Sequence, residues 1–156
     1  MLAHLIKSDD HVVQIGALDG VSFDPLWPIL RNLPLHTLRV EPHPMYFDKL
    51  KSLHINDSHV QCENVAIGSI DGEIPLYFVE PHKAMPKWAT GITTINPAAK
   101  LLGRFAAHVR SIRVRSVRFE TLLRETSFPL PDVVVVDAEG FDLEIVEQVL
   151  SLKPPR

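Results

Sequence analysis

The order of extended and helical segments predicts an α/β domain built on a mostly parallel sheet with helices on both faces, and three observations carry that prediction. Short apolar runs, beginning with residues 11–15, alternate with segments whose apolar positions recur at helical spacing. The run Val133, Val134, Val135, Val136 shows no alternation at all, as a strand buried on both faces of a helix-covered sheet requires. Three of these runs end in a glycine or a carboxylate, at Gly16, Glu41 and Asp137. Open α/β sheets gather their ligands at such carboxyl ends.

The chain has 156 residues, 46% of them hydrophobic, and a net charge of −3, enough for one core and too little for two ordinary domains. A single domain over residues 1–156 is expected. One cysteine, Cys62, excludes an internal disulfide and a zinc site built on several thiolates, which fits a reducing, cytoplasmic setting. The first ten residues lack the apolar core of a signal peptide, and no stretch approaches the roughly 20 apolar residues of a membrane span. Mild acidity argues against bulk nucleic-acid binding, although Arg104, Arg110, Arg113, Arg115 and Arg118 form one basic segment. Their alternation with Ile112, Val114 and Val117 reads as a solvated strand face, with a patch for an anionic substrate as the alternative.

Residues 11–15 form the first strand, and Asp24-Pro25 opens a helix over 24–31, with Asp as cap and Pro in the first turn. A second strand covers 36–40 and stops at Glu41. Residues 44–53 then place Tyr46, Phe47 and Leu50 at helical spacing. A third strand is predicted over 60–67, and Asp71-Gly72 turns the chain into a further extended run over 73–79. This repetition implies a parallel sheet with right-handed crossovers. Residues 80–97 hold prolines, Trp88 and Gly91 without a sustained period, and their apolar content favours a lid. A helix over 98–108 follows through Leu101, Leu102 and Phe105, then an extended 111–118, a short helix over 120–125, and the strand 133–136. The last helix carries Leu143, Val146, Val149 and Leu150 at helical spacing. The chain stops where another strand is due, so the domain is expected to be truncated at its C-terminus. Otherwise the exposed edge is covered by the region of the 71–72 turn or by a partner chain, a second copy included.

Several strand-end and loop positions carry candidate chemistry. Gly16 and Gly20 bracket a turn after the first strand, where small residues let backbone N–H groups approach a ligand, although a plain tight turn explains them equally well. Glu41 ends the next strand, 21 positions after Gly20, where an acidic side chain accepts hydrogen bonds from ribose hydroxyls; alone it reads as a surface carboxylate. Asp137 and Glu139 emerge from the valine strand into an acidic, glycine-containing turn. Asp142 caps the following helix or joins that site, whereas Asp137 is harder to explain as a cap. His43 and His82 lie in loops above the strand ends and are alternative bases or plain surface residues. Trp88, Gly91, Thr93 and Thr94 belong to the lid, where an aromatic ring stacks on a sugar or simply packs.

Taken together, VVQIGALDG, LRVEPHP, CENVAIGSIDG and DVVVVDAEGFDLEIV resemble the FkbM family of S-adenosylmethionine-dependent methyltransferases over about residues 10 to 150. The ordered combination carries the resemblance, above all QIGA-x-DG near the start and D-x-EGF-[DE] near the end. It implies a class I methyltransferase fold with a Rossmann-like sheet, S-adenosylmethionine as cofactor, and O-methylation of a small hydroxylated acceptor, a sugar or secondary metabolite. By the same resemblance the cofactor's methionine end lies over Gly16, Ala17 and Asp19, with Gly20 at the turn. Glu41 holds the ribose, and Asn64, Val65 and Ala66 border adenine. Methyl transfer needs an aligned acceptor and a base for its proton. Asp137 and Glu139 are the catalytic candidates, one positioning cofactor or acceptor and the other acting as base. No metal ligand is assigned, although a hard divalent cation on these carboxylates would lower the acceptor's pKa. The rival readings are a non-catalytic or truncated Rossmann-like interaction module, a dinucleotide oxidoreductase with an incomplete glycine fingerprint, and a nucleic-acid methyltransferase.

Overall fold

A computed structural model of the chain describes residues 6–83, 85–86, 89 and 91–152. Its strands form two four-stranded sheets. The first is wholly parallel, in the order β3-β2-β1-β8, from β1 (His11–Ile15), β2 (His36–Val40), β3 (Val60–Glu63) and β8 (Val133–Val136). Side chains alternate across it. Val13, Ile15, Leu38 and Val40 face one way and pack with Phe119, Leu122 and Ile145 from the helices α4 (Phe119–Thr126) and α5 (Asp142–Leu152). Val12 faces the other way, toward Leu26, Ile29 and Leu35 around α1 (Trp27–Leu30). Helices therefore cover both faces, as the pattern of apolar runs predicts.

The second sheet departs from the single parallel sheet expected. Its order is β4-β7-β5-β6, from β4 (Ala66–Ile67), β5 (Gly72–Val79), β6 (Thr93–Thr94) and β7 (Val109–Val117). Only β4 and β7 pair in parallel, while β5 is antiparallel to both β6 and β7. The expected third strand over 60–67 is divided between the sheets because Asn64 interrupts it. The Asn64 amide donates to the Glu41 and Pro42 carbonyl oxygens at 2.8 and 3.1 Å, so the chain is tied to the end of β2 at the point where it changes sheets. In β7 the solvated-face reading holds. Arg110, Arg113 and Arg115 pair with Glu80, Glu73 and Glu125, and Arg118 just beyond pairs with Asp71, so each of these cations has a carboxylate beside it.

Three helical expectations are corrected. α1 has one turn rather than the span 24–31, and its cap position is Leu26 rather than Asp24, whose side chain accepts from the Leu26 and Trp27 N–H groups at 2.7 and 3.3 Å just ahead of the helix. The helix expected over 98–108 is broken into α3 (Lys100–Gly103) and a 3-10 turn (Ala106–His108), since Phe105 between them leaves helical geometry. In α5 the buried residue is Ile145, and Leu143 is 68% exposed, so the face turned to the core is offset from the predicted stripe. α2 (Pro44–Leu53) matches its predicted bounds. The four valines of β8 are half-buried rather than buried, because β8 is the last strand in the order of its sheet. No described helix is long and apolar enough to cross a membrane.

Candidate functional site

β1 leads into the site through a turn that only glycine can begin. The Gly16 and Ala17 N–H groups both donate to the Val40 carbonyl oxygen, at 3.0 and 3.1 Å, which draws the chain across the end of β2. Gly16 adopts φ +82°, and a Cβ there would run into the carbonyl oxygen of Asp137. The turns after β1 and β8 are thus fitted against each other. Gly20 also has φ +82°, with Leu50 packed where its side chain would be. Between and beyond the two glycines, Leu18 (φ 50°) and Phe23 (φ 59°) are left-handed without being glycine, the kind of strain that gathers around ligand sites.

Glu41 ends β2 beneath this turn and is 1% exposed. One carboxylate oxygen accepts from the Leu18 N–H at 2.8 Å and the other from the His43 N–H at 2.9 Å. Burial pushes its pKa up to about 7 against the pull of those two bonds, and the charge of Asp19 adds to the rise. Each oxygen keeps a second lone pair for a ligand donor.

Asp137 and Glu139 occupy the turn between β8 and α5. The Asp137 N–H donates to the Ile15 carbonyl at 2.9 Å, which extends the β1–β8 ladder into the site. Asp142 is committed to the turn itself and not to a cap: its two oxygens accept from the Ala138 and Gly140 N–H groups, which precede α5, at 2.8 and 3.1 Å. Burial first, and then the Asp142 charge, raise the Asp137 pKa. Glu139 is raised by burial and by both neighbouring aspartates. Glu139 is itself left-handed (φ 48°), and its carbonyl oxygen accepts from the Thr94 hydroxyl at 2.8 Å, which anchors β6 over the site.

These elements enclose a cleft of about 270 Å³. Of the residues expected to act, Gly16, Ala17, Glu41, Asp137 and Glu139 line it, and Gly91 and Thr93 approach from the predicted lid. Asp24 adds a fourth carboxylate, and no Lys, Arg or His lines the cleft among the described residues. Asp19 and Gly20 do not line it. The Asp19 side chain instead takes the Val21 and Ser22 N–H groups at 3.0 and 2.7 Å, and these bonds lower its pKa despite partial burial, which pushes the other way. Asn64 is spent on the β2 carbonyls, and Val65 and Ala66 line a neighbouring cavity of about 30 Å³ that shares Gly16 and Asp137 with the cleft.

His43 is 7% exposed, sits between the Tyr46 and Phe78 rings and does not line the cleft. His82 is exposed and lies against His108 at 5.0 Å. Trp88 lies outside the described residues, as do the chain's last four. Sequence reasoning missed the wall formed by Gln14, Phe23 and Asp24. Its one available signal was a polar Gln14 inside an apolar strand. Among the described residues no group of three or more His, Cys, Asp or Glu is placed to hold a metal ion.

The model of the Methyltransferase FkbM domain matches residues 14–153, which takes in both glycines, Glu41 and the whole β8–α5 turn. No curated protein and no solved structure matches the chain.

Proposed function

This chain belongs to the FkbM methyltransferase family, and we propose that it binds S-adenosylmethionine in the cleft between the β1, β2 and β8 turns and methylates a hydroxyl of a small molecule or sugar on a Rossmann-like class I scaffold. The observation that carries the reading is the charge of the cleft. Glu41, Asp137 and Glu139 line it without a basic side chain among the described residues, while the charge of Asp24 is balanced by Arg39 behind the wall. Such a wall favours a cationic ligand and disfavours the pyrophosphate of a dinucleotide. The absence of a Cβ at Gly16, where one would meet the Asp137 carbonyl, brings the two turns together as the floor of that cleft.

The fit extends to individual residues. Glu41, buried at the end of β2, has a free lone pair on each oxygen for the two ribose hydroxyls. Gly16 and Ala17 line the cleft beside it, their N–H groups held by the Val40 carbonyl. The bound cofactor supplies an electrophilic methyl group on a sulfonium. Asp137 and Glu139 then have separate tasks. Asp137, tied through its backbone to β1, is placed to orient the ligands. Glu139, with its pKa raised by burial and by two neighbouring aspartates, takes the proton from the acceptor hydroxyl. Thr93 and Gly91 border the cleft from the side of the predicted lid.

The test is a transfer assay with methyl-labelled S-adenosylmethionine and a panel of small polyhydroxylated acceptors, run beside a Glu139→Gln variant. Label appearing in an acceptor with the parent chain, and lost in the variant, supports the reading. Binding of the cofactor with no transfer to any acceptor favours the interaction-module alternative.

A further inference from the structure

Beneath the cleft lies a buried polar network that the proposed chemistry does not use. Arg39 and Asp24 form an ion pair whose side chains are 0% and 1% exposed. The Arg39 guanidinium also donates from Nε to the Gln14 side-chain oxygen at 2.9 Å and from Nη1 to His54 Nε2 at 2.7 Å. Because a guanidinium only donates, His54 must accept there, which leaves its ring proton on Nδ1, facing Asp57 at 3.5 Å. Asp24 is equally occupied: its second oxygen takes the Gln14 amide at 3.1 Å and the Leu26 N–H at 2.7 Å. One guanidinium thus joins β1, β2, the end of α2 and the far end of the loop 16–26.

We propose that the Arg39–Asp24 pair, with Gln14 and His54, is a positioning clamp that holds the loop 16–26 in its cleft-forming shape and so sets the cleft's affinity for its cofactor. The loop needs such a device. Leu18 and Phe23 are left-handed without being glycine, and strain of that kind persists only where the surroundings over-determine it. Arg39 also lies under the turn itself, since a Cβ on Gly20 would come within 3.1 Å of its Nη1. A buried ion pair adds little net stability compared with apolar replacements, so fixing geometry is the better account of its presence. Arg39 lines no part of the cleft and acts through Gln14 and Asp24, which do. The affinity half of the proposal rests on the functional reading above, whereas the clamp does not.

The experiment compares the full chain with the double variant Arg39→Met/Asp24→Asn, which removes both charges together and keeps an oxygen for the Leu26 and Trp27 N–H groups. Amide hydrogen exchange reads the loop, and calorimetric titration with S-adenosylhomocysteine reads the cleft. The clamp predicts exchange about tenfold faster in residues 17–26 with β1 and β2 unchanged, and an S-adenosylhomocysteine Kd about tenfold weaker. Arg39→Lys, which keeps the charge but loses the fork, falls between and carries the test if the double variant does not fold. Parental exchange in 17–26 overturns the clamp, and faster exchange with parental affinity overturns its link to the cofactor. If the parent itself does not bind S-adenosylhomocysteine, the cofactor reading fails while the exchange data still decide the clamp.

Discussion

Gly16 sits directly against the carbonyl oxygen of Asp137, with no room for a side chain between them. The contact joins the turn that follows β1 to the turn that follows β8, although the two are far apart in sequence. Both line the cleft, so its floor depends on one missing methyl group.

Gly16→Ala should therefore be among the most damaging single-methyl changes in the chain. It combines a left-handed backbone, φ +82°, with a clash against main-chain atoms that cannot rotate away. A loss of more than about 2 kcal/mol is expected. Chemical denaturation of the purified variant checks it. A cost near that of a surface substitution would mean that the two turns are not in contact.

The pH dependence of stability should carry the signature of Glu41. Its carboxyl rises from 4.5 to about 7 on burial, so the folded state holds this proton more tightly than the unfolded chain. The contribution is complete below pH 4.5 and is lost as pH rises through 7, by about 3 kcal/mol in all. Denaturant unfolding at a series of pH values should show that decline superimposed on the other titrations, and Glu41→Ala should remove it. The same variant strands the Leu18 and His43 N–H groups, so its stability should also fall at every pH.

Glu139→Gln should separate binding from turnover. The substitution keeps the size of the side chain and its left-handed backbone while removing the proton acceptor. Transfer should fall by about two orders of magnitude or more, with cofactor affinity changed only slightly. Equal losses in both would assign Glu139 to binding instead.

Much of this architecture can be read from the residues because periodicity is strong where packing is simple. β1, β2 and α2 occur at their predicted bounds, since an apolar run or a helical stripe marks each. The division into two sheets is not readable that way. Asn64 in an apolar stretch looks like any strand residue, and only its bonds to the Glu41 and Pro42 carbonyls mark the crossing point. At the site, Gly16, Glu41, Asp137 and Glu139 are visible because each follows a strand, and strand ends converge in this class of fold. Asp19 follows a strand as well, yet its side chain turns back to its own loop, a local choice between hydrogen-bond partners that spacing does not reveal. The Arg39–Asp24 pair is hidden for a related reason. A lone Arg in a strand reads as a solvent-facing position until its buried partner, 15 residues away, is seen.

The most direct test of the central claim is calorimetric titration of the folded chain with S-adenosylmethionine, S-adenosylhomocysteine and a nicotinamide dinucleotide. A carboxylate-lined cleft without basic residues predicts binding of the first two, tighter for the sulfonium form, and none of the dinucleotide. Binding of the dinucleotide, or of none of the three, would contradict it.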